Sequence, residues 1–433
     1  MLLRHLLLTA FLAVAAAFPD RAEPAPATNA DEDVEITLQR TACYGSCPDY
    51  TVTIDGKGNV RFRTQADGGP GAADVHRAYS WSDGVLVSGD HRDQIDPAVV
   101  RDLVAQFRAA DFFGLKNKYE SRVTDNPAYI LTFRQGGRTK QVVDYVGRQA
   151  GMPASVTALE DAVDKAAGTA RWVVGAEGLV PWLEREGFDF TSQQARDMAL
   201  AGALGMADDG TIIALIEHGA TLDGKASFPY GDRKGVLGKE LALAAVSKGR
   251  AALFTWLAAR GWVELAGVQG LEMAFADASA SCSPALVEAF ARSGLGVDAP
   301  GEEGETALTG LANNSYHCRG DDEALVAIAR ALLDAGADPN HRNDAGETAI
   351  FDVEYLPLLE LLYARGARAD IADKEGNSAV FSSWTDEIVL RHLEAGASAK
   401  GRYYDGRSLE EQMKERPMPR VRQWLKDHSE TPR

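Results

Sequence analysis

The segment GADPNHRNDAGETAI, residues 336–350, decides the fold of the C-terminal half. It follows an apolar helical stretch at residues 328–333, and its two glycines, Gly336 and Gly346, are ten residues apart. A glycine directly after an apolar helix is typical of a left-handed C-cap, which other residues adopt only at a cost. Thr348, after the second glycine, is a favourable helix N-cap. The segment therefore predicts a helix, an extended loop and the start of another helix.

The same arrangement recurs along the C-terminal half. Four pairs of glycines ten residues apart lie between an apolar helical segment and a Thr or Ser: Gly294/Gly304, Gly336/Gly346, Gly366/Gly376 and Gly396/Gly406. The second glycines of these pairs are separated by 42, 30 and 30 residues. Three upstream segments, residues 179–187, 211–220 and 241–261, have the apolar helix and glycine without the ten-residue spacing. This repetition predicts a stack of about seven helical units with atypical units at its ends.

Residues 336–350 resemble ankyrin repeats, whose usual period is about 33 residues. We therefore expect residues 176–428 to form an all-α, divergent ankyrin-like repeat solenoid. The long unit carries an insertion around residues 313–322, and we expect the 30-residue units to have shortened helix–helix loops. The alternative is an all-α domain with other helix pairings. The resemblance implies protein binding without catalysis.

The loops between paired glycines, called fingers below, are the expected contact points for a partner. They comprise residues 341–344, 372–375 and 401–405. The last finger departs most from the pattern, with Tyr403 where a finger usually carries Asp and a second aromatic beside it. Because Tyr and Arg often dominate binding energy, we predict a partner-facing strip of Arg342, Arg402, Tyr403 and Tyr404. The alternative is that both tyrosines pack over the C-terminal end, near Met413 and Trp424.

The N-terminal residues 34–175 predict an α+β domain. Residues 34–38 alternate with period two, as in a half-buried strand, and residues 50–63 read as a hairpin with a glycine-rich turn. Asp96 and Pro97 begin a helix, because Asp can cap it and Pro fits its first turn. Residues 68–84 have no clear period and predict a surface loop. Two more strands, residues 128–134 and 140–146, and a second helix from Pro153 complete the domain.

A cysteine motif at residues 41–48, TACYGSCP, opens this domain. Together with Tyr50-Thr51-Val52, it resembles a bacterial domain of unknown function marked by Cys-Tyr-Gly-x-Cys-Pro. Three further matches are Gly89-x-His91, Thr124-Asp125-x-Pro127 and the helix that ends near Trp172. The stretch at residues 68–84 is longer than the family pattern. Because the family has no assigned activity, the resemblance implies a fold and no function.

Cys43 and Cys47 allow three readings. Gly45 and Pro48 permit a tight turn, which can bring the two Cα atoms inside the range of about 4.4–6.8 Å that a disulfide needs. In an oxidising compartment we expect a structural disulfide, worth about 2 kcal/mol for so short a loop. A redox-active pair is the second reading, although active pairs usually have two intervening residues. The third is a metal site that adds His76 or His91.

The other two cysteines, Cys282 and Cys318, precede helices of consecutive predicted units. If those helices pack side by side, a Cys282–Cys318 disulfide would fix the inserted loop, and we predict that bond. The alternative is two unrelated cysteines, one of them buried as a small apolar residue.

The first residues predict export. Arg4 precedes an apolar run at residues 6–17 that ends in three alanines, the pattern of a signal peptide. The run is too short for a hydrocarbon core that needs about 20 residues. We expect the leader to be residues 1–17, followed by a Pro- and acid-rich linker at residues 18–33, and the mature protein to be periplasmic or secreted. An N-terminal membrane anchor is the alternative, and no later stretch is apolar enough to span a membrane.

Composition narrows the function further. The 433 residues include 63 Asp and Glu against 45 Lys and Arg, a net charge of −18. This charge argues against a nucleic-acid partner, because binding a phosphate backbone needs clustered cations. The sequence shows no nucleophile elbow, no phosphate-binding glycine loop and no metal-spaced His/Glu pair. We expect a non-catalytic protein without cofactor or metal that binds a protein of unknown identity. The alternatives are a periplasmic thiol-redox enzyme with the repeats as docking module, and a toxin-neutralising or stress protein.

Overall fold

The structure, a computed structural model, describes residues 33–45, 47–64, 77–80, 84–229, 232–267, 270–272, 275, 283–313 and 322–428. A mixed sheet domain is followed along the chain by a helical region. Several predictions fall outside the described residues: the leader at residues 1–17, nearly all of the linker, His76, and the bond between Cys282 and Cys318.

The N-terminal domain is built on a seven-stranded sheet with the order β6-β3-β2-β1-β8-β9-β7. Neighbouring strands are antiparallel except β7 and β9, which are parallel. Outside this sheet, β4 pairs antiparallel with β5, and β10 pairs antiparallel with β11 in the helical region. The strands are β1 (Glu35–Arg40), β2 (Tyr50–Asp55), β3 (Asn59–Thr64), β4 (Arg77–Ser80), β5 (Val85–Ser88), β6 (Asp90–Gln94), β7 (Lys118–Glu120), β8 (Tyr129–Gln135), β9 (Arg138–Tyr145), β10 (Lys225–Ser227) and β11 (Lys234–Val236).

The helices follow in chain order. They are α1 (Pro97–Ala109), α2 (Ala154–Ala167), α3 (Ala170–Val173), α4 (Leu179–Arg185), α5 (Gln193–Leu204), α6 (Asp209–Glu217), α7 (Leu237–Ser247), α8 (Ala251–Ala258), α9 (Trp262–Ala266), α10 (Pro284–Arg292), α11 (Ala307–Asn313), α12 (Asp322–Asp334), α13 (Leu356–Ala364), α14 (Asp386–Glu394), α15 (Leu409–Glu415) and α16 (Pro419–His428). None of the helices in the described ranges is both long and apolar enough to cross a membrane.

The sheet buries one face and leaves the other polar. Alternate residues of the strands, such as Ile36, Val52 and Phe62, are fully buried beneath the helices. The predicted hairpin, both later strands and both helices are confirmed, and Asp96 caps α1 by accepting a hydrogen bond from the Ala98 N–H at 2.7 Å. Within the loop predicted at residues 68–84, residues 77–80 form β4 instead, and residues 68–76 and 81–83 lie outside the described residues.

The sheet domain and the helical region share one hydrophobic core. His91 on β6 is 1% exposed and lies against Trp172 and Trp182, with ring centroids 5.7 and 5.0 Å away. Asp93 forms ion pairs with Arg171 at 2.5 Å and with Arg185 at 3.0 Å. The helices that follow α2 therefore complete the packing of the sheet.

The first glycine of each pair has the predicted left-handed conformation, and the second glycine, for which none was predicted, shares it. All eight have positive φ angles, from 71° at Gly304 to 100° at Gly396. A helix follows the second glycine in two of the four units, as α11 and α15. The expected helix starts at Thr348 and Ser378 are wrong, because residues 349–352 form turns and Ala379–Phe381 form one 3-10 turn. The 30-residue units are therefore short because this helix is reduced, and the expectation of shortened loops does not explain them.

Candidate partner-binding groove

One backbone hydrogen bond recurs in all three fingers and in the corresponding loop between Gly294 and Gly304, which is called the first finger below. The N–H groups of Gly301, Asn343, Asp373 and Tyr403 each donate to the carbonyl oxygen four residues later, at 2.7, 3.0, 2.8 and 2.8 Å. Side chains reinforce two of these turns. The Oδ1 atoms of Asn343 and Asp373 each accept hydrogen bonds from the N–H groups two and four residues further on. Local hydrogen bonds thus give each finger the same shape.

Adjacent fingers are joined by hydrogen bonds. The Asp344 N–H donates to the Glu303 carbonyl at 2.8 Å, and the Lys374 N–H donates to the Ala345 carbonyl at 2.9 Å. The last finger is held by a side chain, since Asn377 Oδ1 accepts from the Arg402 N–H at 2.9 Å. These bonds place the fingers in a row along one side of the helical region.

A groove of about 540 Å³ lies between the last fingers and the short turns that follow them. Tyr404 in its lining is 87% exposed, and its ring meets Trp384 edge-on with centroids 5.6 Å apart. The groove is lined by Ala345, Glu347, Phe351, Asp352, Asp373, Lys374, Glu375, Asn377, Ser378, Phe381, Ser382, Trp384, Arg402 and Tyr404.

The groove is mainly acidic. Its lining includes four carboxylates and two cationic side chains. The backbone of Asp352 is strained, because its φ angle of 57° lies in the left-handed region that L-residues rarely adopt. Although its side chain reaches the surface, partial burial together with repulsion from Glu347 and Glu305 raises the Asp352 pKa to about 6. The groove therefore combines aromatic rings with closely spaced carboxyl groups.

The predicted strip of four residues is only partly exposed. Tyr403 is 2% exposed and packs against Phe381 and Trp384, at 5.3 and 5.1 Å between ring centroids. Its place in the strip is therefore wrong. The alternative is confirmed for this residue, since Tyr403 shares a buried cluster with Met413. The equivalent residue of another finger, Asn343, is also buried, at 8% exposed. Alignment of the fingers with one another could have revealed this inward-pointing position.

The two arginines of the strip are exposed and also brace their own fingers. Arg342 donates from Nε to the Gly346 carbonyl at 3.0 Å, and Arg402 donates from Nη1 to the Gly406 carbonyl at 2.7 Å. Arg342 also reaches the next finger, at the Ala372 carbonyl, 2.7 Å away. Arg402 and Tyr404 line the groove together, whereas Arg342 is outside its lining. Sequence reasoning missed Trp384 and Asp352, which come from the shortened turns.

Cys43 and Cys47 lie at disulfide distance. Their Cα atoms are 5.5 Å apart and their sulfur atoms 1.92 Å apart. A bonded pair has no thiolate for a metal, and His91 lies among aromatic rings with Nε2 2.9 Å from the Val87 carbonyl oxygen. Among the described residues, no group of three or more His, Cys, Asp or Glu is arranged to hold a metal ion. The geometry therefore favours the disulfide reading over the metal reading.

In the helical region, His392 contacts Ser383 through one ring nitrogen and Tyr363 through the other. Ser383 Oγ is 3.3 Å from His392 Nε2, and the Tyr363 hydroxyl is 2.6 Å from His392 Nδ1. A nucleophile, a base and an orienting group have this order in hydrolases. Here Ser383 and His392 are both 0% exposed, and burial lowers the His392 pKa to about 4. A substrate cannot reach Ser383, so the three groups satisfy one another between packed elements.

Comparison with known proteins finds a family match for part of the N-terminal domain. Residues 34–167 match the family described as "Domain of unknown function (DUF6438)". This match confirms the resemblance to a domain of unknown function and ends with the last residue of α2. The chain is also similar to "Intracellular phospholipase A2" of Caenorhabditis elegans, with 35% identity over 79 residues, 17% of this chain and 7% of that protein. The chain thus spans only a small part of that relative.

Proposed function

We propose that this chain is an exported, non-catalytic binding protein whose residues 176–428 form a divergent ankyrin-like stack. In this proposal a protein partner occupies the groove between the last fingers, with Tyr404 and Trp384 as aromatic contacts and Arg402 at the rim. The single observation that carries the proposal is the row of fingers, with one hydrogen bond recurring in each and further bonds between neighbours.

The groove has features of a binding surface. Large aromatic residues that remain exposed beside a concavity are enriched among residues that dominate binding energy. Tyr404 is exposed, whereas its neighbour Tyr403 already stabilises the fold. Strain such as that at Asp352 also tends to occur at functional sites. A partner with basic and apolar side chains would complement the four carboxylates and four aromatic side chains of the lining.

Site-specific photo-crosslinking tests the proposal. A photoreactive amino acid at position 404 should crosslink a defined protein in cells that make the full chain. The same group at Glu394, exposed at the end of α14, is the matched control and should not crosslink it. In the Trp384→Ala variant, the yield of crosslinked product from position 404 should fall at least tenfold while the protein remains folded. Equal crosslinking from positions 404 and 394 would contradict the proposal.

Thiol chemistry at Cys43 and Cys47 is the second candidate. The observation in its favour is that both cysteines are only half buried, with Tyr44 between them 89% exposed. A regulatory or catalytic disulfide should be reduced by mild thiol reagents while the protein stays folded. We expect instead that reduction costs about 2 kcal/mol of stability and changes no electron-transfer activity. Reversible reduction near the potential of a glutathione buffer would favour the redox function.

Export is the part of the proposal that rests on the sequence alone. Arg4 and the apolar run at residues 6–17 support cleavage after about Ala17. N-terminal sequencing of the protein isolated from its producing cells should find a start near Phe18. Recovery of a chain that still begins with Met1 would contradict export with leader removal.

A further inference from the structure

Three arginines lie together on the polar face of the sheet, far along the chain from the groove. Arg61 and Arg63 are on β3, and Arg92 on the edge strand β6 is directly opposite Arg61 in the antiparallel register. Arg63 and Arg92 are exposed, and the side chain of Arg61 is 43% exposed. Like charges directly opposite in a sheet are destabilising. Repulsion between Arg61 and Arg92 should therefore lower the stability of the sheet in the absence of a bound anion.

Asp90 forms an ion pair with one of the three arginines, Arg61. Asp90 accepts hydrogen bonds from Arg61 Nε at 2.9 Å and from Arg61 Nη2 at 2.5 Å. Hydrogen bonding from Arg61 lowers the Asp90 pKa, so this carboxylate is ionised at neutral pH. Within the described part of the chain, neither Arg63 nor Arg92 has an ion-pair partner. Arg63 lies opposite Asp90 in the register, and Arg63 and Arg92 both lower the Asp90 pKa by attraction, but neither guanidinium group has a carboxylate of its own, in a protein whose net charge is −18.

The arginines line one end of a second cavity, with a volume of about 680 Å³. Hydroxyl groups flank them, because Thr53 pairs with Arg61 and Thr51 pairs with Arg63 across β2 and β3. The lining also includes Asn59 and three acidic residues, Glu35, Asp55 and Asp93. Asp93 is already paired with Arg171 and Arg185. Guanidinium groups beside hydroxyls are suited to bidentate recognition of phosphate or carboxylate.

We propose that Arg61, Arg63 and Arg92 form a binding site for a small ligand that carries an oxyanion, either phosphate or carboxylate. The two unpaired guanidinium groups contact the oxyanion, and the threonine hydroxyls contact polar groups of the remainder. A bound anion relieves the repulsion between Arg61 and Arg92, so binding stabilises the sheet domain. This site is separate from the proposed partner groove and does not depend on it.

Calorimetry with the full mature chain tests the site, with pyrophosphate and citrate as probes at low ionic strength, where screening is weak. We expect at least one probe to bind and to raise the melting temperature. The double variant Arg63→Gln/Arg92→Gln should bind that probe about 100-fold more weakly, or tenfold for each guanidinium group removed. The Arg101→Gln variant, which removes an exposed arginine on α1, should keep the full affinity. Binding of pyrophosphate alone assigns phosphate as the ligand group, and binding of citrate alone assigns carboxylate.

Stability without ligand provides a second readout. Because Arg92 opposes Arg61, the Arg92→Gln variant should melt about 1 °C higher than the parent chain in the absence of anions. An arginine that merely supports the fold would lower the melting temperature when replaced. Failure of both probes to bind the parent chain, or equal binding by the double variant, would overturn the proposal. The partner groove would remain unaffected by that result.

Discussion

Glu160 is a buried acidic residue of the sheet domain. It lies on α2, is 1% exposed, and neither carboxyl oxygen has a hydrogen-bond partner. Burial and repulsion by Asp144 raise its pKa to about 8; Asp161 and Asp164 add smaller increases, and only Arg40 lowers the pKa. The folded protein therefore holds a proton on Glu160 at neutral pH, which the unfolded chain releases.

The sign of the resulting pH dependence follows from this raised pKa. The stabilising effect of the proton is complete below the unfolded pKa, near 4.5, and is lost as the pH rises towards 8. We predict that the effect of Glu160→Gln on the free energy of unfolding is more stabilising at pH 8 than at pH 5, by on the order of 2 kcal/mol. Urea unfolding at both pH values measures this difference. The exposed Glu186→Gln variant is the control, and parallel pH profiles for Glu160→Gln and the parent chain would contradict the prediction.

The adjacent residues Tyr403 and Tyr404 should contribute very differently to the stability of the chain. Tyr403→Ala should destabilise the chain by about 3–5 kcal/mol, because it empties a buried aromatic site. Tyr403→Phe should be nearly neutral, since the buried hydroxyl has no hydrogen-bond partner. Tyr404→Ala should change stability by less than about 0.5 kcal/mol. Thermal unfolding of the three variants checks the order, and a large loss in Tyr404→Ala would refute the assignment of Tyr404 to the surface.

At the scale of elements, substitutions at two glycines can separate the effect of backbone strain from the effect of packing between adjacent fingers. Gly346 and Gly376 occupy the same position in successive fingers, with φ angles of 85° and 87°. A Cβ atom at Gly346 would lie 2.9 Å from the Lys374 nitrogen, whereas one at Gly376 would have no heavy atom within 4 Å. The two positions therefore have equal strain and unequal space.

We predict that Gly376→Ala costs about 1–2 kcal/mol, the strain of a left-handed residue with a side chain. Gly346→Ala should cost about 1–3 kcal/mol more, because its Cβ atom pushes the next finger away. Chemical denaturation of both variants measures the difference. Equal losses would mean that adjacent fingers do not pack closely, and would weaken the proposed ankyrin-like stack.

Sequence patterns predicted those elements whose determinants are local. The capping of α1 by Asp96 and the left-handed C-caps depend on a few neighbouring residues, and both were found. The short strands β4 to β7 escaped detection because three to five residues give too little periodicity. Tyr403 points inward and Trp384 lines the groove because of tertiary packing. No local pattern in a single sequence indicates such packing.

At the scale of the whole molecule, the matched family segment ends before the sheet domain is complete. The match stops at residue 167, yet Trp172 and Trp182 are both 0% exposed and cover His91 on the sheet. Trp172 also contacts Phe62, with ring centroids 4.9 Å apart. Loss of one such tryptophan typically costs about 3–5 kcal/mol, and whole domains are stable by only about 5–15 kcal/mol. Both tryptophans together therefore account for much of the available stability.

We predict that a fragment of residues 33–167 does not fold cooperatively, whereas a fragment of residues 33–220 does. The shorter fragment loses both tryptophans and also Arg171, the partner of Asp93, and so uncovers the sheet beside His91. The longer fragment keeps α3 to α6 and the packing of α5 against β4 and β5. Urea unfolding followed by circular dichroism, with a fluorescent dye for exposed apolar surface, compares the two. A sharp transition without dye binding in the shorter fragment would show that the sheet domain is independent of the helical region, and that the shared core contributes little to its stability.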